Sequence, residues 1–204
     1  MEPASVRNAL QRGLVHAAIG ILATTALLLL PRLIVLAVLA IATVGFLIFE
    51  AARLRVPSLK RWFSTWFASV MRKEEEDKLT GSSYFLIGCL LTAVAFPKDI
   101  ASLAILFLSF GDPAATVVGI WRGHKKLWGK SVEGDIVCLV ICILVGTLAA
   151  NILENPSLIV AIIGATFATL FQTLPLRLND NLTIPLGSAT AMMLASTLQS
   201  CLYH

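Results

Sequence analysis

Long apolar runs separated by short polar segments dominate the chain. Seven of these runs are candidate membrane spans, at 14–30, 33–49, 84–96, 100–121, 136–153, 157–174 and 182–202. The run at 84–96 is shorter than the ~20 residues that a helix needs to cross a bilayer. We therefore expect it to borrow from its flanks or to lie deep in the bundle. The pattern predicts an all-α polytopic membrane protein, a single domain over 1–204 with about seven transmembrane helices.

A different periodicity occupies residues 58–71. Apolar side chains recur there at helical spacing, with polar and basic residues opposite, at Leu59, Trp62, Phe63, Trp66, Phe67 and Val70. This pattern predicts an amphipathic helix lying in the membrane interface, where tryptophan is a common anchor. The helix could shape the route of a lipid to a site, or it could serve as an anchor alone.

Composition agrees with a membrane protein, since 57% of the residues are hydrophobic, 14% are charged and the mean hydropathy is +0.85. With seven spans, fourteen basic residues fall on one side and only Arg32 and Lys98 on the other. Cytoplasmic loops collect Lys and Arg, so we expect a cytoplasmic N-terminus and an external C-terminus in a cell inner membrane or an ER-type membrane. Anionic lipid headgroups suffice as a partner for the +4 net charge, and nucleic acid is not required.

Two features of the apolar runs bear on processing and metal binding. The first run lacks a convincing small-residue cleavage site, so we expect it to remain as a helix and not to be a cleaved signal peptide. The four cysteines lie in apolar segments, and only Cys138 and Cys142 share helical spacing. We expect them to serve packing, since a metal site usually needs further ligands.

The segment 111–134, GDPAATVVGIWRGHKKLWGKSVEG, places a carboxylate directly after an apolar run. Asp at the centre of a membrane helix costs roughly 2.5 to 3.5 kcal/mol on insertion scales, so Asp112 is a functional candidate. Asp suits a helix N-cap and Pro the first helical position. Gly111 and Pro113 beside it therefore predict that the helix breaks here, restarts at Ala114 and turns Asp112 towards a polar pocket. The alternative is a kinked helix followed by a basic anchor.

A basic loop punctuated by glycine follows Asp112. Ala115 and Gly119, four residues apart, should let a neighbouring helix approach closely. The loop then carries Arg122, His124, Lys125, Lys126 and Lys130, with Glu133 three residues further on. An acid that can hold a divalent cation, followed by flexible backbone and several cations, suits a nucleoside triphosphate with its magnesium. For the cations alone, anchoring on the cytoplasmic side is the alternative.

Three further groups stand at span ends. Arg12 and His16 lie one helical turn apart at the start of the first run. Glu50 and Arg53 end the second run and could form a surface ion pair worth a few tenths of a kcal/mol, or belong to a site. The segment 178–186, LNDNLTIPL, offers carboxylate and amide oxygens of the type that Mg²⁺ accepts, although a simple capped turn explains it as well.

These motifs resemble one family. The pattern G-D-x-x-A at 111–115, the basic glycine loop and G-K-S-x-E-G at 129–134 resemble the CTP-dependent lipid kinases, namely dolichol kinase, phytol kinase and the yeast-type diacylglycerol kinase. D-N-L-T-I-P-L at 180–186 and E-x-x-R at 50–53 are also similar to that family. The likeness to phosphatidate cytidylyltransferase is more remote. One departure is Gly13, which stands where the kinases carry Lys between an Arg and a His.

The resemblance implies transfer of the γ-phosphoryl group of CTP to a membrane lipid alcohol, which would be a polyprenol or dolichol, a phytol-type alcohol or diacylglycerol. It implies Mg²⁺ on Asp112 and Asp180, with Asn181 in support, and a catalytic role for Lys130. Asp112 or Asp180 would accept the hydroxyl proton, and Glu133 would orient Lys130 or the metal. Nucleotide and phosphate contacts would come from Gly111, Gly119, Arg122, Gly129, Lys130, Ser131, Glu133, Gly134 and Arg12. Further candidate pocket members are His16, Glu50, Arg53, Glu76, Thr80, Gly81 and Thr183.

Two other functions compete with a kinase. A cytidylyltransferase would use the same nucleotide but attack its α-phosphorus and release pyrophosphate. A non-enzymatic transporter module would also contain broken helices, but it leaves GKSVEG and LNDNLTIPL without a purpose.

Overall fold

A computed structural model describes residues 3–67, 69–72, 75–152 and 156–203. The regular secondary structure of the described residues is helical apart from one short hairpin, which confirms the all-α prediction. Its helices are α1 (Pro3–Leu29), α2 (Arg32–Arg55), α3 (Pro57–Trp66), α4 (Gly81–Ala95), α5 (Lys98–Arg122), α6 (Val132–Ile152), α7 (Leu158–Thr173) and α8 (Asp180–Tyr203). The hairpin consists of β1 (Lys126–Leu127) and β2 (Lys130–Ser131).

The seven apolar runs correspond to α1, α2 and α4 to α8, although residue 153 of the fifth run lies outside the described residues. Four of these helices, α1, α2, α5 and α6, are long and apolar enough to cross a membrane. Helices α4 and α7 are shorter, with 15 and 16 residues. The count of seven crossings therefore stays a prediction.

The amphipathic segment forms α3, but the helix ends at Trp66 instead of continuing to residue 71. The chain leaves helical geometry at Phe67, whose ring stacks on that of Phe63 at a centroid distance of 4.7 Å. Phe63 is buried, whereas Trp62 and Trp66 are exposed. The chain thus turns after Trp66, and Phe67 packs against the apolar face of the short helix.

Helix α5 is the centre of the bundle, and α1, α6 and α8 pack against it. Its first half is buried at every position from 100 to 105. Gly111 gives α6 a close approach, because a Cβ there would lie 2.6 Å from the Sγ atom of Cys142. Cys138 and Cys142 are buried and free, as expected for packing residues. Large apolar side chains on α1, α2, α6 and α8 face outwards, as a lipid-facing surface requires.

The predicted break of α5 at Asp112 is wrong. The helix runs without interruption from Lys98 to Arg122 and contains Pro113 in its interior. Proline inside a helix costs about 3 kcal/mol, and here tight packing offsets that cost. Gly13 of α1 lies directly against the proline, since a Cβ on it would be 2.9 Å from the Pro113 Cβ. This contact also gives a packing reason for glycine at the position where the resembling kinases have Lys.

The predicted flexible glycine loop is a hairpin instead. Lys126 pairs with Ser131, and Leu127 with Lys130, in antiparallel register. The two-residue turn consists of Trp128 at φ 50° and Gly129 at φ 90°. Two-residue hairpin turns of the primed types require such positive φ angles, which glycine adopts without strain. Residues 126 and 130 are therefore held at a fixed separation.

Candidate active site

Asp112 is a buried carboxylate, only 6% exposed, in the second half of α5. Arg72, Arg12 and Lys130 are the cations that act on it electrostatically. Arg12 belongs to α1, Arg72 to the loop after α3 and Lys130 to β2. Three separate elements therefore bring positive charge to one buried acid, which gives Asp112 the compensating partners that its position requires.

Lys130 joins the hairpin to the last two helices. Its Nζ donates to Asp180 Oδ2 at 2.8 Å and to the backbone carbonyl of Gln172 at the end of α7. Burial raises the pKa of the Asp180 carboxyl, and the hydrogen bond and charge of Lys130 oppose that shift. The nearby charge of Asp112 raises the pKa of Asp180 as well. Asp112, Lys130 and Asp180 therefore form one electrostatic cluster.

The G-K-S-x-E-G motif builds the support of this cluster. Ser131 Oγ accepts a hydrogen bond from the Gly134 N–H at 3.2 Å and donates one to Glu133 Oε2 at 2.7 Å, so Ser131 caps α6. Glu133 Oε1 accepts from the Lys125 N–H at 3.1 Å. Gly134 lies against α5, where a Cβ would be 2.6 Å from the carbonyl oxygen of Ala115. The motif thus fixes the hairpin between α5 and α6.

The contacts of Glu133 differ from the role that the resemblance implied. Lys130 and Ser131 are neighbours on β2, and adjacent strand residues point to opposite faces. Glu133 binds Ser131 on one face, while Lys130 reaches Asp180 on the other. Asp180 and the Gln172 carbonyl orient Lys130, and Glu133 holds the start of the hairpin.

The remaining predicted residues of this segment, Gly119, Arg122 and Gly129, make contacts outside the charged cluster. Gly119 faces Ser131, with a Cβ position 3.2 Å from the serine Cβ, so Ala115 and Gly119 do admit the chain that enters α6. Arg122 is exposed, and its guanidinium lies 4.5 Å from the ring centroid of Trp121. Its described contact is therefore this ring and not the cluster. Gly129 lies at the exposed tip of the hairpin.

Glu50 and Arg53 form a buried ion pair, so the surface-pair alternative is wrong. Both side chains are fully buried, with Nε and Oε1 2.9 Å apart. Arg53 also donates to the carbonyls of Glu76 at 3.0 Å and Lys78 at 2.7 Å, and Glu50 accepts from the Thr80 N–H at 2.8 Å. The pair is buried because the loop 75–80 folds over it, and it holds the start of α4 in place.

Glu75, and not the predicted pocket member Glu76, contacts the start of α4. Its carboxylate accepts hydrogen bonds from the N–H groups of Gly81 at 3.0 Å and Arg72 at 3.1 Å. Glu76 is exposed and borders a shallow depression on the outer face of α3. Asn181 connects α8 to the same turn, since its Nδ2 donates to the Gly81 carbonyl at 2.8 Å. Its Oδ1 is the side-chain atom that can act as a ligand.

A cavity of about 410 Å³ opens between α1, α2, α3 and α4, and we call it the amphipathic cavity. One end is polar and is lined by Arg12, His16, Arg72, Glu75, Thr80 and Asn181. The remaining wall is largely apolar and includes Val15, Ile19, Phe46, Phe49, Trp62, Phe63, Phe67, Val70, Phe85 and Leu86. Thr183 does not line this cavity but a separate groove between α4, α7 and α8.

The donor set for a metal is small. Within the described ranges, no group of three or more His, Cys, Asp or Glu residues could hold a metal ion. Asp112 and Asp180 are close enough to interact electrostatically. Mg²⁺ is often bound by one or two carboxylates together with substrate phosphates. The two carboxylates therefore fit a metal that arrives with a nucleotide, and not a permanent all-protein site.

Sequence reasoning missed several residues of this region. Arg72 and Glu75 stand in a charge run that is typical of a solvated loop, so the sequence analysis did not select them. Gln172 contributes a backbone carbonyl, for which no side-chain signal exists. Asp135, 9% exposed, interacts electrostatically with Lys130 and escaped notice as an ordinary acid in a helix start.

Two kinds of known protein are similar to this chain, namely an uncharacterized protein and CTP-dependent diacylglycerol kinases. The uncharacterized protein RP860 of Rickettsia prowazekii is 31% identical over 166 residues, which cover 78% of this chain and 81% of that protein. CTP-dependent diacylglycerol kinase 1 of Eremothecium gossypii is 26% identical over 178 residues, or 76% of this chain and 56% of the kinase. The Schizosaccharomyces pombe kinase of the same name is 29% identical over 99 residues, or 46% of this chain and 45% of the kinase.

The chain thus spans about half the length of these curated kinases. No protein-family model matches it, and no solved structure does. The distant homologues support a CTP-dependent lipid kinase family, and the comparisons give no support to a likeness to cytidylyltransferases.

Proposed function

The chain belongs to one family with protein RP860 of Rickettsia prowazekii, and because its distant homologues are named CTP-dependent diacylglycerol kinases, we propose that it phosphorylates a membrane lipid alcohol with CTP. The products are the lipid monophosphate and CDP. The observation that carries the proposal is the cluster of Asp112, Lys130 and Asp180 beside a cavity with one polar and one apolar end.

Phosphoryl transfer requires mainly alignment of the reactants and neutralisation of charge. The lipid hydroxyl oxygen forms a bond to the γ-phosphorus, the bond from that phosphorus to the bridging β-γ oxygen breaks, and CDP leaves. Lys130, held by Asp180, places a cation against the transferring group, and Arg12 and Arg72 add positive charge near Asp112. Asp112 or Asp180 accepts the hydroxyl proton.

Asp112 and Asp180 are also the residues that would hold Mg²⁺ brought in with CTP, with the Asn181 carbonyl oxygen in support. When bound, the ion would neutralise the charge on the phosphate oxygens. The protein itself contributes the buried position of Asp112, which excludes bulk water, and the fixed hairpin that positions Lys130.

The substrate class is a lipid with a free hydroxyl group, either diacylglycerol or an isoprenoid alcohol of the polyprenol or phytol type. The relatives' names specify diacylglycerol for those proteins. We place the site on the cytoplasmic side of the membrane, because CTP is a soluble substrate and the segments that carry the cluster are the basic ones.

The test uses CTP labelled separately at the γ-phosphate and in the cytosine ring, with purified protein in lipid nanodiscs. We expect the γ-label in an organic-extractable monophosphate and the cytosine label in soluble CDP. Cytosine label in the lipid fraction would instead identify a cytidylyltransferase. Nanodiscs without added lipid alcohol provide the control for phosphorylation of the carrier lipids.

A further inference from the structure

We infer that the amphipathic cavity is the binding site of the acceptor lipid. The hydroxyl group lies at the end formed by Arg12 and His16, and the neighbouring carbons of the chain lie against Phe46 and Phe49. This inference rests on the proposed function and adds to it the place and the chemical class of the acceptor.

The polar end of the cavity adjoins the charged cluster. Arg12 and Arg72 line the cavity, and both act electrostatically on Asp112. Asn181 lines it too and directly follows Asp180, the partner of Lys130. A hydroxyl group at this end therefore lies next to the residues that would hold the transferring phosphoryl group.

Two buried polar atoms in the cavity wall lack a partner among the described residues, namely His16 Nδ1 and Thr80 Oγ1. His16 is 5% exposed and its ring lies 4.6 Å from that of Phe85, while Thr80 is 4% exposed. A buried polar group without a hydrogen bond costs about 1–3 kcal/mol. The hydroxyl of a bound lipid can donate to one of these atoms and accept from the other.

Helix α3 forms one wall of the cavity through Trp62 and Phe63. Phe63 is buried there, with its ring 5.5 Å from that of Phe49 of α2. The guanidinium of Arg53 lies 5.2 Å from the Phe63 ring centroid, so the buried ion pair also holds α3 down. The aromatic face of α3 therefore encloses the cavity, and Trp62 lines it while remaining half exposed.

The volume limits what the cavity can hold. About 410 Å³ is near the lower end of the roughly 300–1,000 Å³ of typical ligand pockets. It accommodates a hydroxyl group and the adjoining carbons, while the rest of a long hydrocarbon stays in the bilayer. The recognised feature is therefore a hydroxyl at the end of an apolar chain, which diacylglycerol and isoprenoid alcohols share.

The groove between α4, α7 and α8 is the competing location. It is larger, about 660 Å³, and leucine, isoleucine and phenylalanine make up most of its lining. None of the residues that line it in the described part of the chain is charged. It suits hydrocarbon tails but offers no charge to align a phosphoryl acceptor.

The experiment fills the cavity and measures lipid binding without CTP. Val15→Trp alters a rim residue of the cavity on α1, and Val70→Trp alters a lining residue in the loop after α3. Leu14→Trp is the matched control, since Leu14 is 70% exposed on the same helix and does not line the cavity. Two photoreactive probes, a diazirine diacylglycerol and a diazirine geranylgeraniol, separate the two classes of acceptor by the extent of labelling.

We expect labelling within residues 57–72 that falls about tenfold in both cavity variants, equivalent to about 1.4 kcal/mol, and stays normal in Leu14→Trp. In the kinase assay the same variants raise the KM for lipid and leave the KM for CTP unchanged. Val70 lies outside the helices, so its variant keeps the test valid if Val15→Trp does not fold.

The outcomes separate the two proposals. An active kinase whose lipid KM is unchanged in both cavity variants overturns the assigned lipid site and leaves the kinase function standing. Labelling confined to the groove between α4, α7 and α8 also overturns the assigned lipid site and leaves the kinase function standing. A third outcome is that the protein transfers no γ-phosphate, while the probes still label its cavity and unlabelled lipid competes with that labelling. This outcome supports the lipid site and overturns the kinase function alone.

Discussion

At the scale of single residues, Asp112 is the centre of the proposed chemistry. The side chain is buried among Arg72, Arg12 and Lys130, so its negative charge is compensated by the protein and, in the proposed reaction, by Mg²⁺. Asp112→Asn keeps the size of the side chain and does not disturb the helix, because α5 continues through this position without a cap. We expect a folded variant whose turnover falls at least ~100-fold, the scale of losing one electrostatic contact in an active site. The measurement is the kinase rate across a Mg²⁺ titration, after a check of monodispersity in detergent.

Lys126→Ala provides the matched control for Asp112→Asn. Lys126 is exposed on β1, and its strand contact with Ser131 involves the backbone. We expect this variant to keep most of the activity, because Lys125 and Lys130 preserve the positive charge of the hairpin. Near-normal turnover of Asp112→Asn at low Mg²⁺ would remove Asp112 from the site.

At the scale of elements, the buried pair of Glu50 and Arg53 joins α2 to the loop that starts α4. Removing one member of a buried pair leaves an uncompensated charge and typically costs about 3–5 kcal/mol. We therefore expect Arg53→Met to lower the thermal stability strongly. It should also weaken lipid labelling of the cavity, since α3 loses the Arg53 contact with Phe63. The double variant with Glu50→Gln should lose less than the sum of the two single changes, because the residues act together.

The exposed pair of Lys60 and Asp77 is the matched control for the buried pair. It joins α3 to the same loop, and Asp77 is largely exposed. The hydrogen bond and charge of Lys60 lower the pKa of the Asp77 carboxyl, but water and salt screen such a contact. Lys60→Ala should therefore change the unfolding temperature little. Equal destabilisation by Lys60→Ala and Arg53→Met would argue against a special role of the buried pair.

At the scale of the whole molecule, the four segments predicted to be cytoplasmic meet at one place. The N-terminal helix supplies Arg12, the loop after α3 supplies Arg72, the hairpin supplies Lys130, and the start of α8 supplies Asp180. Arg32 is one of the two basic residues predicted for the opposite side of the membrane. It donates hydrogen bonds to the carbonyls at the end of α4. This convergence agrees with the prediction that the four segments share one side of the membrane, and the assignment of that side as cytoplasmic rests on the basic residues.

Cysteine accessibility tests this arrangement in a background without native cysteines. We expect Lys126→Cys and Asn179→Cys to react with a membrane-impermeant reagent only from the cytoplasmic side, and Lys98→Cys only from the other side. Lys126 and Lys98 are exposed and Asn179 is half-buried, so a failure of Lys126→Cys or Lys98→Cys to react would not arise from burial. Labelling of residue 126 or 179 solely from outside would contradict the proposed orientation.

The helices and the candidate acids could be recognised from the amino-acid sequence alone. The apolar runs predicted the helices because burial or lipid contact of a continuous apolar segment is a local requirement that few neighbours can change. Asp112 could be singled out because a carboxylate beside an apolar run is expensive wherever the chain places it. Asp180 could be singled out because LNDNLTIPL offers oxygen ligands of the type that Mg²⁺ accepts and resembles a family motif. Lys130 joined them through a family resemblance and not through its own surroundings.

The contacts that hold these residues depend on the folded bundle and could not be read from the sequence. Pro113 stays inside α5 because Gly13 packs against it; this contact joins two helices that are far apart in sequence. Lys130 binds Asp180 and not Glu133 because the hairpin turns the two neighbouring side chains of β2 to opposite faces. The burial of Arg53 depends on carbonyls supplied by a distant loop. In each case the deciding partner comes from another segment, and its position follows from packing of the whole bundle.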